Sequence, residues 1–382
     1  MKLKDITSLI TDYVANGSFA SLKSNVKYVT SKEGYARVIR LTDENSNYDI
    51  SNAVFVTKEA YDFLAKSQLN SGDIIITNVG AYLGTVFQCP NLNIPMTLGP
   101  NSILIRPNSK VINKYLYYSL LSNYGHSKLL ELTSGSAMPK FNKTDLRNME
   151  VEIHSLDIQQ HIVDTIGSLD DLLENLKEQK DKIIFIIQEK LKEFTSGSID
   201  FSELKPEIIK SGIYSFDNEK FYIDTSSVEG INNISNGEIV TFKRRPSRAN
   251  MQPVNSSVWF AKMKGSNKII LVTDRDGDLI DNNIFSTGFL GIKGSDKLPI
   301  SYLMAIITSK EFETQRDLNS VGTTMAGINN NTLLKINVPK LDKMSFPLFK
   351  EICNPLVLEL SNIRRKTNSI KKLKERLLEK YF

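Results

Sequence analysis

The sequence predicts an α/β (α+β) protein built as a pseudo-two-fold tandem repeat, in which two similar globular domains are separated by an antiparallel pair of long coiled-coil helices. Three observations lead to this prediction. Segments half a chain apart match at one spacing, an apolar heptad pattern closes each copy, and strand-like and helix-like patterns are mixed within each copy.

The repeat is clearest in a loop that occurs twice. The segment GSAMPKFN (residues 135–142) matches GTTMAGIN (residues 322–329), and the spacing is 322 − 135 = 187 residues. The same spacing pairs Leu146 with Leu333 and continues to the end of the chain. We therefore expect two globular domains, each followed by a long helix: residues 1–155, 156–198, 199–340 and 341–382.

Strand and helix patterns follow one another within the first copy. Residues 73–77 hold three consecutive isoleucines and predict a strand, which a turn at residues 78–84 joins to a returning strand at residues 85–87. A further strand is predicted at residues 102–106, and a helix at residues 114–123. Each globular domain is therefore expected to contain both strands and helices.

Each copy ends in a pattern typical of a coiled-coil seam, because apolar residues recur at alternating steps of four and three. We expect Pro355 to kink or delay the second helix, and residues 195–198 (TSGS) to form a linker after the first. The predicted seam consists of Ile162, Ile166, Leu169, Leu173, Leu176, Ile183, Cys353, Leu356, Leu360, Ile363 and Ile370.

The two helical segments carry opposite net charge. Residues 156–195 hold five basic and nine acidic side chains, whereas residues 341–382 hold ten basic and five acidic ones. We expect the helices to pack on each other, and the order of the chain then makes them antiparallel. The alternative is that each helix packs only on its own domain.

Several classes of function lack their sequence signal. There is no Walker phosphate loop, no HExxH zinc motif, no GxSxG nucleophile motif and no Pro-Pro dipeptide of an adenine methyltransferase motif. The two cysteines and three histidines lack metal-ligand spacing, and residues 274–278 (DRDGD) resemble a calcium loop without its closing glutamate. These missing signals lead us to expect a non-catalytic protein without a metal site. No apolar run follows Met1, so we expect no secretion signal and a location in the cytoplasm.

Basic and polar side chains cluster where the two copies differ most, which favours contact with double-stranded DNA. Arginine and asparagine can read base edges, and lysine mostly holds phosphates. The candidate DNA-binding residues are Lys23, Lys27, Lys32, Arg37, Asn78, Tyr82, Lys140, Lys143, Arg244, Arg245, Arg248, Lys262, Lys264 and Arg275.

In their order along the chain, several segments resemble the DNA specificity subunit of type I restriction–modification systems. These are residues 71–76 (SGDIII), the loop at 135–142, Leu146 with the strand after it, the heptad helix from Ile158 to Phe194, and residues 245–250 (RPSRAN). The resemblance implies two target recognition domains, each reading one half of a bipartite DNA site. It also implies that the helices set the gap and dock two modification subunits, which bind S-adenosylmethionine, and that restriction subunits can join.

The second copy departs from this pattern in two places. Ser256-Ser257 replaces Gly72-Asp73 before its strand, and Ala326-Gly327 replaces Pro139-Lys140 in the loop. The second copy therefore lacks a counterpart of Lys140.

Two other functions stay open from the sequence alone. One is a coiled-coil scaffold with two protein-binding domains and no specific DNA target. The other is a nuclease or methyltransferase with a degenerate motif, in which case the chain alone would cut or modify DNA. Salt-sensitive DNA binding separates a DNA reader from a scaffold.

Overall fold

The computed structural model describes residues 1–134, 138–235, 237–322 and 326–382. The chain divides into two compact units, with residues 1–171 and 371–382 in unit 1 and residues 172–370 in unit 2. Parts of the repeated loops, residues 135–137 and 323–325, lie outside the described residues. No described helix is both long and apolar enough to cross a lipid bilayer.

Unit 1 combines two sheets with short helices and the start of one long helix. Its strands are β1 (Thr7–Asp12), β2 (Tyr28–Val29), β3 (Ala36–Ile39), β4 (Val54–Val56), β5 (Gln68–Leu69), β6 (Ile74–Thr77), β7 (Val86–Gln88), β8 (Met96–Leu98) and β9 (Ser102–Pro107). Its helices are α1 (Phe19–Asn25), α2 (Leu41–Asn45), α3 (Lys58–Phe63), α4 (Asn113–Leu121), α5 (Asn123–Glu131), α6 (Lys143–Asn148) and the first part of α7 (Leu156–Phe194).

The strands of unit 1 form one antiparallel and one mixed sheet. The antiparallel sheet has the order β1-β9-β6-β7, and the mixed sheet has the order β2-β4-β3-β8-β5 with β3 and β8 parallel. The predicted hairpin is confirmed, because β6 and β7 pair antiparallel with Ile75 opposite Phe87. Successive side chains of a strand point to opposite faces. Ile74 and Ile76 accordingly pack in one apolar cluster and Ile75 in another, which is why three consecutive residues of β6 are isoleucine.

Unit 2 contains the remaining elements of the chain. Its strands are β10 (Thr195–Asp200), β11 (Glu207–Ile208), β12 (Lys220–Ile223), β13 (Val228–Glu229), β14 (Asn233–Ile234), β15 (Glu238–Val240), β16 (Ala249–Met251), β17 (Ser257–Ala261), β18 (Ile269–Val272), β19 (Asn283–Ser286), β20 (Phe289–Lys293) and β21 (Asn337–Leu341). Its helices are α8 (Gly277–Asn282), α9 (Ile300–Ile307), α10 (Lys310–Leu318), α11 (Asn330–Leu333) and most of α12 (Phe346–Tyr381).

The topology of unit 2 repeats that of unit 1. The sheet β11-β20-β17-β18 matches β1-β9-β6-β7 in order and is antiparallel, and the sheet β15-β12-β19-β16 again has a parallel central pair, β12 with β19. Helices α9 and α10 begin 187 residues after α4 and α5, since 300 − 113 and 310 − 123 both equal 187. The predicted tandem repeat and the mixed fold class are confirmed.

The segment at residues 195–198 is not a linker. It begins β10, which pairs antiparallel with β21 and places Asp200 opposite Asn337. In unit 1 the corresponding bridge joins Lys2 to Glu150. Polar residues and a glycine suggested a loop, but the partner strand lies far away in the sequence, where a local pattern cannot register it.

The long helices run antiparallel within each unit. In unit 1, the Asp170 carboxylate contacts the Lys374 ammonium, and the rings of His161 and Tyr381 lie 6.2 Å apart. In unit 2, the rings of Phe194 and Phe349 lie 6.4 Å apart. The end of α12 therefore packs in unit 1, although it follows the second copy in the sequence.

Helix α12 is continuous through its proline. It begins at Phe346, and Pro355 lies inside it. The expected delay is therefore wrong, because the helix begins nine residues before the proline. Cys353 and Val357, on either side of Pro355, are buried and hold the helix in the core.

Candidate DNA interface

Unit 1 carries three predicted polar residues at the edge formed by the β6–β7 hairpin and the segment before α6. The Asn78 side chain donates to the carbonyl oxygen of Phe141 over 3.1 Å. Tyr82 lies in the hairpin turn and is 67% exposed. Lys140 is also exposed, and its backbone bridges to Val79. The fold therefore brings Asn78, Tyr82 and Lys140 to one edge.

Lys143 stands beside this edge but already has a partner. Its ammonium lies 2.8 Å from the carboxylate of Asp12, and the two side chains are 25% and 14% exposed. This ion pair neutralises the lysine locally. Lys143 therefore offers a DNA phosphate less than an exposed lysine would.

The lysines near the start of unit 1 are exposed. Lys23 lies in α1, and Lys27 and Lys32 flank β2, where the ring of Tyr28 is half exposed. A positive surface with an aromatic side chain between its charges suits a nucleic-acid backbone.

Arg37 differs from these lysines because it is buried within the mixed sheet. It is 4% exposed, and its guanidinium donates to the carbonyl oxygens of Tyr48 and Asp49 over 2.9 and 3.1 Å. It also lies 3.4 Å from the carboxylate of Asp43. We correct its assignment accordingly: Arg37 holds residues 43–49, the end of α2 and the turn after it, in place. We therefore remove Arg37 from the proposed DNA contacts.

The basic segment at residues 243–248 of unit 2 contains side chains that fold inward and side chains that face solvent. Arg245 folds back, donating to the carbonyl oxygens of Ala249 and Phe242 and lying 4.5 Å from the centre of the Phe242 ring. Arg244 and Arg248 are exposed on either side of it. Arg245 therefore shapes the loop, and its two neighbours are the ones presented to solvent.

The lysines after this run also differ in exposure. Lys262 is half-buried, and its ammonium donates to the carbonyl oxygen of Thr287 over 2.8 Å. Burial lowers the pKa of Lys262, and the nearby Arg248 guanidinium lowers it further. Lys264 and Arg275 are exposed.

The segment at residues 274–278, which resembles a calcium loop, packs against helix α12 through Asp276. The carboxylate of Asp276 is fully buried and accepts from the backbone nitrogen of Thr273 over 2.7 Å, and also from Ser361 and Arg364 of α12. Asp274 and Asp278 are exposed. The central carboxylate thus faces a helix rather than a solvent-open loop.

The predicted seam positions are buried to different degrees. Ile162, Ile166, Leu169, Leu176, Cys353, Leu360 and Ile363 are buried. Leu173, Ile183, Leu356 and Ile370 are partly exposed.

The heptad pattern that predicted the seam includes Ile187 but was not extended to Leu191 and Phe194. Ile187, Leu191 and Phe194 are 1%, 2% and 9% exposed and pack in one cluster with Phe349 and Val357. The signal was present, since further steps of four and three from Ile187 reach Leu191 and Phe194.

A basic pocket in unit 1 was also missed. It has a volume of about 390 Å³ and is lined by Lys66, Arg106 and Arg147 together with Tyr61 and Asn70. These side chains come from distant parts of the sequence, so no local pattern could have grouped them.

Comparison with known proteins gives a family match for the first part of the chain. Residues 1–184 match the family described as the type I restriction modification DNA specificity domain. The match covers a little under half of the chain, so the first copy of the repeat is similar to a type I restriction–modification DNA specificity domain. The resemblance seen in the sequence is therefore confirmed for residues 1–184, which include the unit 1 edge described above.

Two curated relatives come from Methanocaldococcus jannaschii. The type I restriction enzyme MjaIX specificity subunit is 27% identical over 212 residues, which cover 54% of this chain and 45% of the relative. The putative type I restriction enzyme MjaX specificity subunit is 25% identical over 182 residues, which cover 47% of this chain and 40% of the relative. The aligned chain thus spans a little under half the length of the curated relatives it matches.

Two crystal structures are similar over the whole chain. The S subunit of a type I restriction–modification system from M. genitalium has 16% sequence identity and a TM-score of 0.47, and the match covers 100% of this chain and 99% of that one. The HsdS subunit from Thermoanaerobacter tengcongensis has 12% identity and a TM-score of 0.35, covering 100% and 95%.

Proposed function

We propose that this chain is the specificity subunit of a type I restriction–modification complex and binds double-stranded DNA at a bipartite site. Two target recognition domains each read one half of the site, and the two long helices set the gap between the halves. The bounds proposed for these parts are residues 1–155 and 199–340 for the domains, and 156–198 and 341–382 for the helices.

The observation that carries this proposal is the duplication of one fold in a chain whose first half matches a DNA specificity domain. A bipartite target needs two readers, and each copy carries its own group of exposed basic residues. Unit 1 has Lys23, Lys27 and Lys140, and unit 2 has Arg244 and Arg248. Phosphate contacts from such residues fix the register of a protein on DNA, and base contacts specify the sequence.

We further propose that the helices dock two modification subunits, which bind S-adenosylmethionine and methylate DNA, and that restriction subunits with nuclease and translocase activity join them. Apolar surface on α7 supports a docking role, because Leu172 and Phe185 are 47% and 64% exposed. The chain then needs no catalytic residue or cofactor of its own. Its two free, buried cysteines, Cys89 and Cys353, suit the reducing cytoplasm that we propose as its location.

Co-expression with the modification subunit encoded beside it tests the proposal. The two proteins should co-purify, and the methylated sites in a plasmid library should share two short sequences separated by a constant gap. Changing Arg248 to alanine should weaken binding or relax one half-site and leave the other unchanged, and the matched change Lys310→Ala, on an exposed helix of the same unit, should alter neither.

Binding measured against salt separates this function from a scaffold. A DNA reader loses affinity as salt rises, because bound phosphates release their counterions. A complex that purifies intact but shows neither salt-dependent DNA binding nor a preferred sequence would reject the proposal.

A further inference from the structure

The repeated loop meets the end of a central strand through a defined set of backbone hydrogen bonds. In unit 1, the Asn78 nitrogen donates to the carbonyl oxygen of Asn101 over 3.0 Å, and the Phe141 nitrogen donates to that of Asn78 over 3.2 Å. The Gly80 nitrogen donates to the carbonyl oxygen of Pro139 over 3.0 Å. The loop is thereby held against the chain that leaves β6.

Unit 2 contains the same set of bonds at equivalent positions. The Lys262 nitrogen donates to the carbonyl oxygen of Gly288 over 2.9 Å, and the Ile328 nitrogen donates to that of Lys262 over 2.9 Å. The Lys264 nitrogen donates to the carbonyl oxygen of Ala326 over 3.0 Å. We call this arrangement the strand–loop junction: residues 78–80 with 139–141 in unit 1, and residues 262–264 with 326–328 in unit 2.

Each junction is closed by a reciprocal pair of backbone bonds across the loop. Ser134 and Lys140 exchange bonds of 2.9 and 3.1 Å in unit 1, and Val321 and Gly327 exchange bonds of 2.9 and 3.1 Å in unit 2. Lys140 and Gly327 therefore occupy the same place. The backbone of the junction is the same in both copies, so any difference in function lies in the side chains.

The positive charge sits on opposite sides of the two junctions. In unit 1 the loop carries Lys140 and the strand end carries Asn78 and Gly80, whereas in unit 2 the loop carries Gly327 and the strand end carries Lys262 and Lys264. Gly327 has little room for a side chain, because a Cβ there would lie 2.9 Å from the carbonyl oxygen of Lys262. A lysine in the loop of unit 2 would need the backbone to shift, and the charge stands instead on the neighbouring segment.

The lysines of the two junctions differ in exposure, because Lys140 is exposed and Lys262 is half-buried. Within the described residues, neither Lys140 nor Lys262 has a carboxylate partner. The ammonium of Lys262 uses one of its three donors on Thr287, which leaves two. Arg248 adds charge at the same place, since a Cβ on Gly288 would lie 2.9 Å from its guanidinium. Two cations held together in this way favour a ligand of negative charge.

We propose that each strand–loop junction binds one phosphate of the DNA backbone, through Lys140 in unit 1 and through Lys262 in unit 2. This inference rests on the proposed DNA-binding function and adds a defined phosphate contact to it. The contact is independent of base sequence, and it fixes where each unit stands on the duplex. Each copy places a lysine at its junction, on the loop in unit 1 and on the strand end in unit 2, where Lys264 adds a second, exposed ammonium.

The test measures binding of the full chain to a random-sequence duplex between roughly 50 and 200 mM salt. Lys140→Met and Lys262→Met keep the aliphatic stems and remove one charge each. Each should reduce the slope of log affinity against log salt by about 0.9 and weaken binding about eightfold at 0.1 M salt. The double variant should lose about twice that slope. Lys128→Met and Lys310→Met, on exposed helices of the two units, are matched controls that should leave the slope unchanged.

A charge-transfer variant makes the test specific to the junction. Asn78→Lys added to Lys140→Met moves the unit 1 charge to the position used in unit 2, and it should restore the slope. If the unaltered chain binds DNA with a salt-dependent slope that neither methionine variant changes, the inference is wrong and the proposed function stands. If the unaltered chain shows no salt-dependent binding, both fall.

Discussion

Replacing Asp276 by alanine should lower the unfolding free energy of unit 2 more than a change at any of its exposed neighbours. The carboxylate of Asp276 is fully buried, and it accepts from Thr273, Ser361 and Arg364. The side chain of Arg364 is itself 6% exposed. Burial lowers the pKa of Arg364, and Asp276 acts against that shift. Without Asp276, a buried guanidinium would lose its countercharge.

The size of the effect follows from that unpaired charge. Removing one partner of a buried ion pair costs about 3–5 kcal/mol, whereas replacing both partners by apolar residues is often neutral. Asp276→Ala should therefore lose about 3–5 kcal/mol, and Asp276→Ala combined with Arg364→Met should recover most of the loss. The exposed Asp274 is the matched control, and Asp274→Ala should stay within about 0.5 kcal/mol of the unaltered chain.

The single tryptophan provides the assay. Trp259 is fully buried in unit 2, so its fluorescence during urea unfolding reports on that unit. With a urea dependence of roughly 2–3 kcal/mol/M, the midpoint for Asp276→Ala should fall by about 1–2.5 M. A midpoint equal to that of Asp274→Ala, or a double variant no more stable than the single one, would refute the account of Asp276 as the partner of a buried charge.

Three further predictions concern other parts of the chain. Burial raises the pKa of Tyr302 to about 12, so on alkaline titration the unfolded chain loses this proton before the folded chain does. The unfolding free energy should therefore fall by about 2–3 kcal/mol between pH 10 and 12. Tyr302→Phe should remove that part of the pH dependence. Leu360→Ala should cost about 2–5 kcal/mol in urea unfolding, whereas Leu373→Ala, at a position 47% exposed, should stay within about 0.5 kcal/mol; equal losses would contradict the seam. Seven residues inserted after both Lys177 and Thr367 lengthen each helix by roughly 10 Å, so the gap between methylated half-sites should grow by about three base pairs; a changed half-site with an unchanged gap would reject the helices as the ruler.

The spacing of apolar residues made several elements predictable from the sequence. The three isoleucines of β6 indicate a strand buried on both faces, and the structure packs Ile75 on the face opposite to Ile74 and Ile76. The heptad spacing likewise places Ile162 and Leu360 in buried positions, because an apolar residue at each of these steps returns to the same side of a helix.

The exposure of basic side chains was harder to predict from the sequence, because such a side chain can face solvent or bond to a buried partner. Arg37 and Lys32 look alike as members of one basic stretch, yet Arg37 is 4% exposed and Lys32 is exposed. What distinguishes them is Asp43, a buried carboxylate that Arg37 meets only in the folded sheet. Arg245 and Arg248 divide in the same way, since only Arg245 finds carbonyl oxygens within its own loop.

The two strand–loop junctions show how a duplicated fold can keep its backbone geometry while its side chains change. A backbone hydrogen bond requires its donor and acceptor in one geometry, so each junction retains the same pattern of bonds. A flexible ammonium only has to come within reach of a phosphate, so the loop can supply it through Lys140 or the strand end through Lys262. The tight approach at Gly327 excludes the first choice in unit 2. In the proposed phosphate contact, steric room on the shared backbone therefore explains why the lysine of unit 2 stands on the strand end and not in the loop.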